Sequence, residues 1–331
     1  MHFAVFIIAL ALIFDFYNGM NDAANSIATI VSTRVLTPFQ AVIWAAAFNF
    51  LAAFIFGVSV ATTIGTGIVD PSIVNNIVIF SGLIGAIILS ATCTHFGLPI
   101  SVSHAIIGGY GGAGLAKAGF DALVLSGFTK VIIFIFLAPI MGFIISLVFS
   151  ILTMWLVRNR SPKGVDRYFR KLQLVSSALF SLSHGSNDAQ KTIGIISVVL
   201  FTNGLLGSSF YVPYWVILLS YSIISLGTMI GGWKVIKTLG MRVTKLTPFG
   251  GFSAETSAGI TIIFASLLGI PVSTTHTITG SIIGVGSVKS FSAVRWGVAR
   301  NILWAWILTI PLSAVFSMLT FYLFNYLIKI L

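Results

Sequence analysis

Six apolar runs organise this sequence, at 3–14, 41–63, 77–91, 131–157, 212–230 and 302–328. The longer ones reach the roughly 18–20 residues that carry a helix across a bilayer core. Only 8% of the residues are charged. A soluble domain carries about 25%, so this chain cannot cover a soluble surface, and a large soluble enzyme is excluded. The reading is an all-α polytopic membrane protein. The first run is expected to stay in the protein, because it lacks a basic leader and Asp15 follows it directly. The single cysteine, Cys93, excludes an internal disulfide.

The formal charge of +11 is not spread as a nucleic-acid surface. Six basic residues (Arg158, Arg160, Lys163, Arg167, Arg170, Lys171) share one short segment, and Lys234, Lys237, Arg242 and Lys245 share another. Short basic connections between spans mark the cytoplasmic side.

Two motifs recur in the same order. GMNDAAN at 19–25 returns as GSNDAQK at 185–191, and GLPISVSHAIIG at 97–108 returns as GIPVSTTHTITG at 269–280. The offsets are 166 and 172, and at the second offset Lys117 meets Lys289 and Pro139 meets Pro311. This is a duplication, with 1–157 as the first repeat, 158–171 as a cytoplasmic basic linker and 172–331 as the second repeat. If 158–171 is inside, 172–203 crosses outward and 212–232 returns. Residues 250–288 then form a down-and-up pair or a re-entrant hairpin, and 301–328 crosses outward through Pro311. The first repeat has an odd number of crossings and ends inside, so it starts outside. The repeats are therefore inverted, and both termini are expected outside. Fourteen of the 18 Lys and Arg residues then lie inside, Lys117, Lys130 and Lys329 lie outside, and Lys191 lies within a span. Inverted repeats with broken helices are a signature of secondary transporters.

The first motif places Asn18, Gly19, Asn21, Asp22 and Asn25 in an apolar context. The expectation is a helix break facing protein or water, whose carbonyls and side-chain oxygens suit a small alkali cation. Its alternative is a polar loop between two short helices. Asn187 and Asp188 repeat the device. In the second motif the proline is expected to end one helix, and Ser101, Val102 and Ser103 to start another. Ser273, Thr274 and Thr275 do the same in the second half. Each start offers hydroxyls, unpaired N–H groups and a positive dipole end, which suits a tetrahedral oxyanion. The bland alternative is that these hydroxyls only cap their helices. His104 and His276 occupy equivalent places, for anion bonding, proton transfer or bracing of the hairpin. His95 and His184 have no counterpart and read as structural. Lys191 replaces Asn25 and needs a partner, Asp188 or the anion. Glu255, whose counterpart is Leu83, is either a cation or proton ligand or an interfacial residue. Asp15 is expected within the first span, facing the bundle.

The stretches NGMNDAANSIATIVSTRVLT and SHGSNDAQKTIGII resemble the paired signatures of the inorganic phosphate transporter (PiT) family, and GFSAETSAGITIIFASLLGIPVSTTHTITGSIIGVG resembles that family's second hairpin. The resemblance covers nearly the whole chain. It implies import of inorganic phosphate across the plasma membrane (the inner membrane of a bacterium), coupled to sodium or protons. It places Asp22 and Asp188 in the anion and cation site, with the hairpin hydroxyls around phosphate. Asn21, Asn25, Asn187 and Glu255 join the two aspartates as the sodium ligands, and His104, His276, Gln190 and Lys191 stand as accessory groups. No cofactor is implied; phosphate, sodium or proton and lipid are the partners, and self-association stays open. The family's long insert between halves is here only 158–171, and Asn49 stands where the family often has an acid. A sulfate permease on the same scaffold is the alternative; a channel follows at a distance. No zinc, nucleophile-elbow or P-loop motif supports an enzyme or an ATP-driven pump.

Overall fold

A computed structural model describes residues 2–330, with the side chains of 240–242, and so that of Arg242, outside the description. Twelve α-helices are described: α1 (His2–Ser32), α2 (Pro38–Leu51), α3 (Ser59–Thr66), α4 (Asn76–Phe96), α5 (Val102–Ala118), α6 (Leu125–Val157), α7 (Pro162–Thr202), α8 (Tyr214–Ile230), α9 (Trp233–Arg242), α10 (Pro248–Leu267), α11 (Thr274–Lys289) and α12 (Trp296–Ile330). Among the described residues there is no β-strand, only an isolated bridge between Val69 and Leu123.

By length and composition α1, α4, α6 and α12 can each cross a bilayer. The run 41–63 is not one straight span. It is α2 and α3, bent by 81°, and α8 with α9 bends by 75° in the same way. The two halves thus repeat one plan: a long helix, a bent pair, a hairpin and a second long helix. The second long helices, α6 and α12, run unbroken through Pro139 and Pro311.

The breaks are not where the polar motifs suggest. Both are continuous: α1 runs for 31 residues through Asn18–Asn25, and α7 for 41 residues through Gly185–Lys191. Asn21, Asp22, Asn25 and Thr29 recur at helical spacing, as do His184, Asn187, Asp188 and Lys191. Each set forms one polar stripe that finds partners on neighbouring helices. Those tertiary bonds outweigh the weak helix preference of Asn and Gly, and the intact helix keeps its backbone groups satisfied. Every residue from Ser183 to Leu200 is buried, so α7 is a core helix with little need of a lipid-facing surface. The supposed linker 158–171 is a short turn followed by the first turns of α7.

Hairpin α4–α5 turns at 97–101 and hairpin α10–α11 turns at 268–273. The stop is set by glycine rather than proline. Gly97 (φ 71°) caps α4 in the left-handed region, and Gly269 (φ 69°) stands at the matching place after α10, a conformation that favours residues without Cβ. Pro99 and Pro271 lie in the extended connections that follow. Each hairpin's second helix packs on the other half's long helix. A Cβ at Gly108 would come within 2.6 Å of the Ile310 carbonyl oxygen, and one at Gly280 within 2.2 Å of that of Pro139. Only glycine lets α5 meet α12, and α11 meet α6, this closely.

Contacts at the helix ends separate two faces. At one, Arg170 donates to the Arg34 carbonyl at 3.0 Å, and Thr244 to that of Ala293 at 3.1 Å. At the other, Phe3 stacks on Phe324 with ring centroids 5.9 Å apart, Asn76 bonds Asn203, and Lys117 bonds the Ile73 carbonyl. The basic segments gather at the first face, and both chain ends lie near the second.

Candidate functional site at the meeting of the hairpins

The polar stripes of α1 and α7 face the first turns of α5 and α11. Asp22, Asn25, Asp188, Lys191, Ser103, Thr274 and Thr275 are all at most 1% exposed. Asn25 Nδ2 donates to Thr275 Oγ1 at 2.9 Å and Thr274 Oγ1 at 3.2 Å. Thr274 Oγ1 lies 3.1 Å from Asp188 Oδ2 and 3.4 Å from Asp22 Oδ2, and Thr275 Oγ1 lies 3.4 Å from Asp22 Oδ1. One hydroxyl therefore joins the two halves' aspartates.

Lys191 Nζ pairs with the Asp188 carboxylate, and donates to Ser103 Oγ at 2.5 Å and to the Val272 carbonyl at 3.1 Å. All three ammonium protons are engaged. The expected Asp188 partner is present, and the α5 start is joined to it through Ser103.

Ser101 and Ser273 are placed differently from their neighbours. Ser101 Oγ accepts from the His104 N–H at 3.1 Å, and Ser273 Oγ from the His276 N–H at 3.2 Å. Both are N-caps, as the bland reading had it. The carbonyls of the same residues accept from Ala105 and Thr277. A helix start then leaves the amides of Val102 and Ser103, and of Thr274 and Thr275, free to bind an anion. Val102 has no polar side chain, so only its N–H can contribute.

The hairpin tips touch. His104 and His276 lie edge to face with centroids 4.5 Å apart, and His276 stacks on Trp306 at 3.8 Å. Equivalent residues in contact mark the pseudo-two-fold axis. His276 also lies near the Ile135 carbonyl, which loses its helical donor because Pro139 has no N–H.

Asn21 and Asn187 hold the hairpins rather than facing the carboxylates. Asn21 Nδ2 donates to Thr94 Oγ1 at 2.7 Å, and Asn187 Nδ2 to Ser266 Oγ at 2.9 Å. Asn187 Oδ1 also accepts from the Val272 N–H at 3.2 Å. Gln190 lies away from the hairpin starts. Its Oε1 accepts from the N–H groups of Val60 and Ala61 at 2.9 and 3.1 Å, capping α3. Glu255 is fully buried in a separate cluster. Its Oε1 accepts from Thr29 at 2.5 Å and Gln173 at 3.1 Å, and its Oε2 from Ser176 at 2.5 Å. Thr29 lies seven residues beyond Asp22, about 10.5 Å along α1.

His184 was read as structural, yet its Nε2 lies 3.3 Å from Asp188 Oδ2, and its Nδ1 is 3.2 Å from Asn49 Oδ1. Its i, i+4 spacing to Asp188 was the overlooked signal. Thr94 and Ser266 were overlooked too, although they correspond at the 172 offset. Donor atoms of Asp22, His184 and Asp188 all lie within 4.8 Å of one another, a set compact enough for a small cation.

A helical membrane protein whose two halves repeat one plan and interlock, with two helix starts meeting at a buried polar site on its core helices, has the architecture of a membrane transporter of an oxyanion. The comparisons give the particular family. Residues 18–317 match the model of the Phosphate transporter family, and the chain belongs to it; it is a membrane transporter of phosphate and not an enzyme. It is 55% identical over 316 residues to a protein of Rhizobium meliloti named "Probable low-affinity inorganic phosphate transporter", covering 96% of this chain and 95% of that one. A Bacillus subtilis protein of the same name is 41% identical, with 97% of each chain covered. A solved structure named "The sodium-dependent phosphate transporter" superposes with a TM-score of 0.89 at 28% identity, covering 98% of this chain and all of that one.

Proposed function

We propose that this protein imports phosphate across the plasma membrane by cation symport, with sodium as the driving ion and access alternating around the Asp22–Asp188 site. One observation carries the reading: a site built to bind an anion already holds a formal negative charge. Asp22 and Asp188 contribute two negative charges and Lys191 one positive charge, and all three are buried. Monohydrogen phosphate would take the formal total from −1 to −3. An uncompensated charge of that size is prohibitive away from water, so cations must enter with the anion. A channel or an uncoupled permease has no use for such a site.

Phosphate would lie between the amides of Val102, Ser103, Thr274 and Thr275, with the hydroxyls of Ser103, Thr274 and Thr275 turning from the carboxylates to the anion. Ser101 and Ser273 set those amides in place through their caps. Hard oxygens from Asp22, Asp188, Asn25 and the threonines favour sodium as the cation, and the name of the superposable structure supports the same ion. Glu255 serves a cation on the inner side of the site. The basic face is cytoplasmic by the positive-inside rule, so both termini lie outside, and the repeats 1–157 and 172–331 move against each other.

The test is uptake of radiolabelled phosphate into proteoliposomes under sodium and proton gradients imposed separately. Uptake should follow the sodium gradient. Asp22→Asn should abolish it while the protein stays folded, and near-wild-type uptake by that variant would remove the carboxylate from the mechanism.

A further inference from the structure

Seven residues before Asp22, α1 carries another carboxylate, Asp15, which the transport site does not use. It is fully buried. Its Oδ1 accepts from Thr192 Oγ1 of α7 at 2.9 Å, and its Oδ2 has no partner among the described residues. Asn18 follows one turn later, 1% exposed, with neither Oδ1 nor Nδ2 bonded. Tyr221 of α8 sits within electrostatic reach of Asp15, 2% exposed, with its hydroxyl beside the Gln190 side chain. Orphaned buried polar atoms are few in native proteins, and each asks for a reason. Here several gather around one carboxylate.

Lys191 is not the missing partner, because its three protons go to Asp188, Ser103 and Val272. The repeat does not require Asp15 either. Its counterpart on α7 is Ser181, and the counterpart of Thr192 on α1 is Ser26. The groups on hand near Asp15 are hard oxygens: Thr192 Oγ1 bonded to the same carboxylate, Asn18 Oδ1 one turn along α1, and the Tyr221 hydroxyl within electrostatic reach. With Asp15 they hold one negative charge and no thiol or imidazole. That set matches a small monovalent cation, held by one carboxylate and neutral oxygens.

We infer that Asp15, Asn18, Thr192 and Tyr221 form a second sodium site, on the opposite side of the Asp22–Asp188 site from Glu255. This rests on the cation-coupled reading of the transport site. Asp15, Asp22 and Thr29, the last holding Glu255, recur every seven residues on one face of α1. Successive stations are about 10.5 Å apart, two helix turns. A cation entering from the outer face meets Asp15 before it meets the phosphate site.

The test uses the purified full chain. Sodium is titrated, with choline as replacement, against thermal unfolding without phosphate and against phosphate uptake in proteoliposomes. Asp15→Asn keeps the side-chain shape and the Thr192 bond. It should raise the half-saturating sodium concentration at least roughly tenfold, the loss of about 1.4 kcal/mol, and lower the Hill coefficient for sodium. The phosphate KM at saturating sodium should not move. Tyr221→Phe and Thr192→Val should shift the sodium response the same way by less, and they carry the test if Asp15→Asn does not fold. A wild-type sodium response kept unchanged in all three variants overturns this site alone. A shifted proton dependence with unchanged sodium dependence makes Asp15 a proton site and also overturns it. A wild type indifferent to sodium in both assays overturns the sodium-coupled reading and this site with it.

Discussion

Lys191 is the most exposed point of the proposed mechanism to a single substitution. Lys191→Met keeps the length of the side chain and removes its charge. Asp188 then loses its ion pair, and Ser103 and the Val272 carbonyl lose their donor. Breaking one partner out of a buried pair costs about 3–5 kcal/mol, because the remaining charge stays buried. With large soluble domains as the scale, each kcal/mol moves the melting temperature by about 2–4 °C, so the apparent melt should fall by roughly 6–20 °C. Asp188→Asn alone should destabilise by a similar mechanism, leaving the ammonium unpaired. Asp188→Asn with Lys191→Met leaves neither charge. It should recover most of the stability lost by either single change, a coupling that a double-mutant cycle isolates.

Transport should behave oppositely. The double variant keeps the formal charge of −1 through Asp22 but lacks the Asp188 carboxylate and the Lys191 ammonium that joins it to the hairpin starts, so it should remain inactive in phosphate uptake despite its recovered melt. The measurements are intrinsic tryptophan fluorescence on heating in detergent and labelled-phosphate uptake in proteoliposomes. A Lys191→Met protein as stable as wild type would refute the ion-pair reasoning. A double variant as unstable as the worse single would refute it too, and a double variant that transports normally would refute the proposed role of the Asp188 carboxylate in the site.

Ser103→Ala and Thr275→Val each remove a hydroxyl from one helix start. A hydrogen bond to a charged group is worth about 1.5–3 kcal/mol, so each should weaken phosphate affinity by roughly ten- to a hundredfold; equilibrium binding of labelled phosphate reads the change, and unaltered affinity in both would place the anion elsewhere. In a Cys93→Ser background, a cysteine at Ser161 should react with a membrane-impermeant thiol reagent only from the cytoplasmic side, and labelling from outside would reverse the proposed orientation.

The fold class was legible because lipid leaves a chain few options and because the duplication survives in two motifs with matched flanks. The location of the breaks was not. Asn18–Asn25 reads as a break when each residue is weighed by its own helix preference. The partners that keep the helix intact, Thr94, Thr274 and Thr275, lie far along the chain. The bend after Phe54 lies inside one apolar run, 41–63, so no hydropathy signal marks it, and the one at 231–232 falls where the run 212–230 gives way to Lys234 and Lys237, which reads as the start of a loop rather than of another helix. Glu255 was visible as an expensive carboxylate, but its partners Thr29, Gln173 and Ser176 come from two other helices. His184 was dismissed for lacking a counterpart, although it shares the Asp188 face of α7.

The departures from symmetry have a common logic. A transporter built from two identical inverted repeats would present the same site to each side of the membrane, and its inward- and outward-facing states would have equal energy. Bias must come from positions where the repeats differ. The matched pairs supply the frame: Ser101 with Ser273, Asn21 with Asn187, Gly108 with Gly280. Beyond Asp22 with Asp188, three buried charged positions have no charged counterpart. Lys191 answers Asn25, Glu255 answers Leu83, and Asp15 answers Ser181. Around Glu255 the contrast extends to its partners, because Gln173, Ser176 and Thr29 are answered by Ile7, Leu10 and Ile195, which belong to or pack on an apolar core. The place that answers the Glu255 cluster in the other repeat is therefore lined by hydrocarbon where that cluster holds a carboxylate. On the proposed alternating-access reading, opening toward one side would hydrate Glu255, and opening toward the other would hydrate Asp15. Since an ionised carboxylate gains far more from water than a leucine or a serine does, the two openings differ in energy and in the cation they favour, on a backbone that treats them alike.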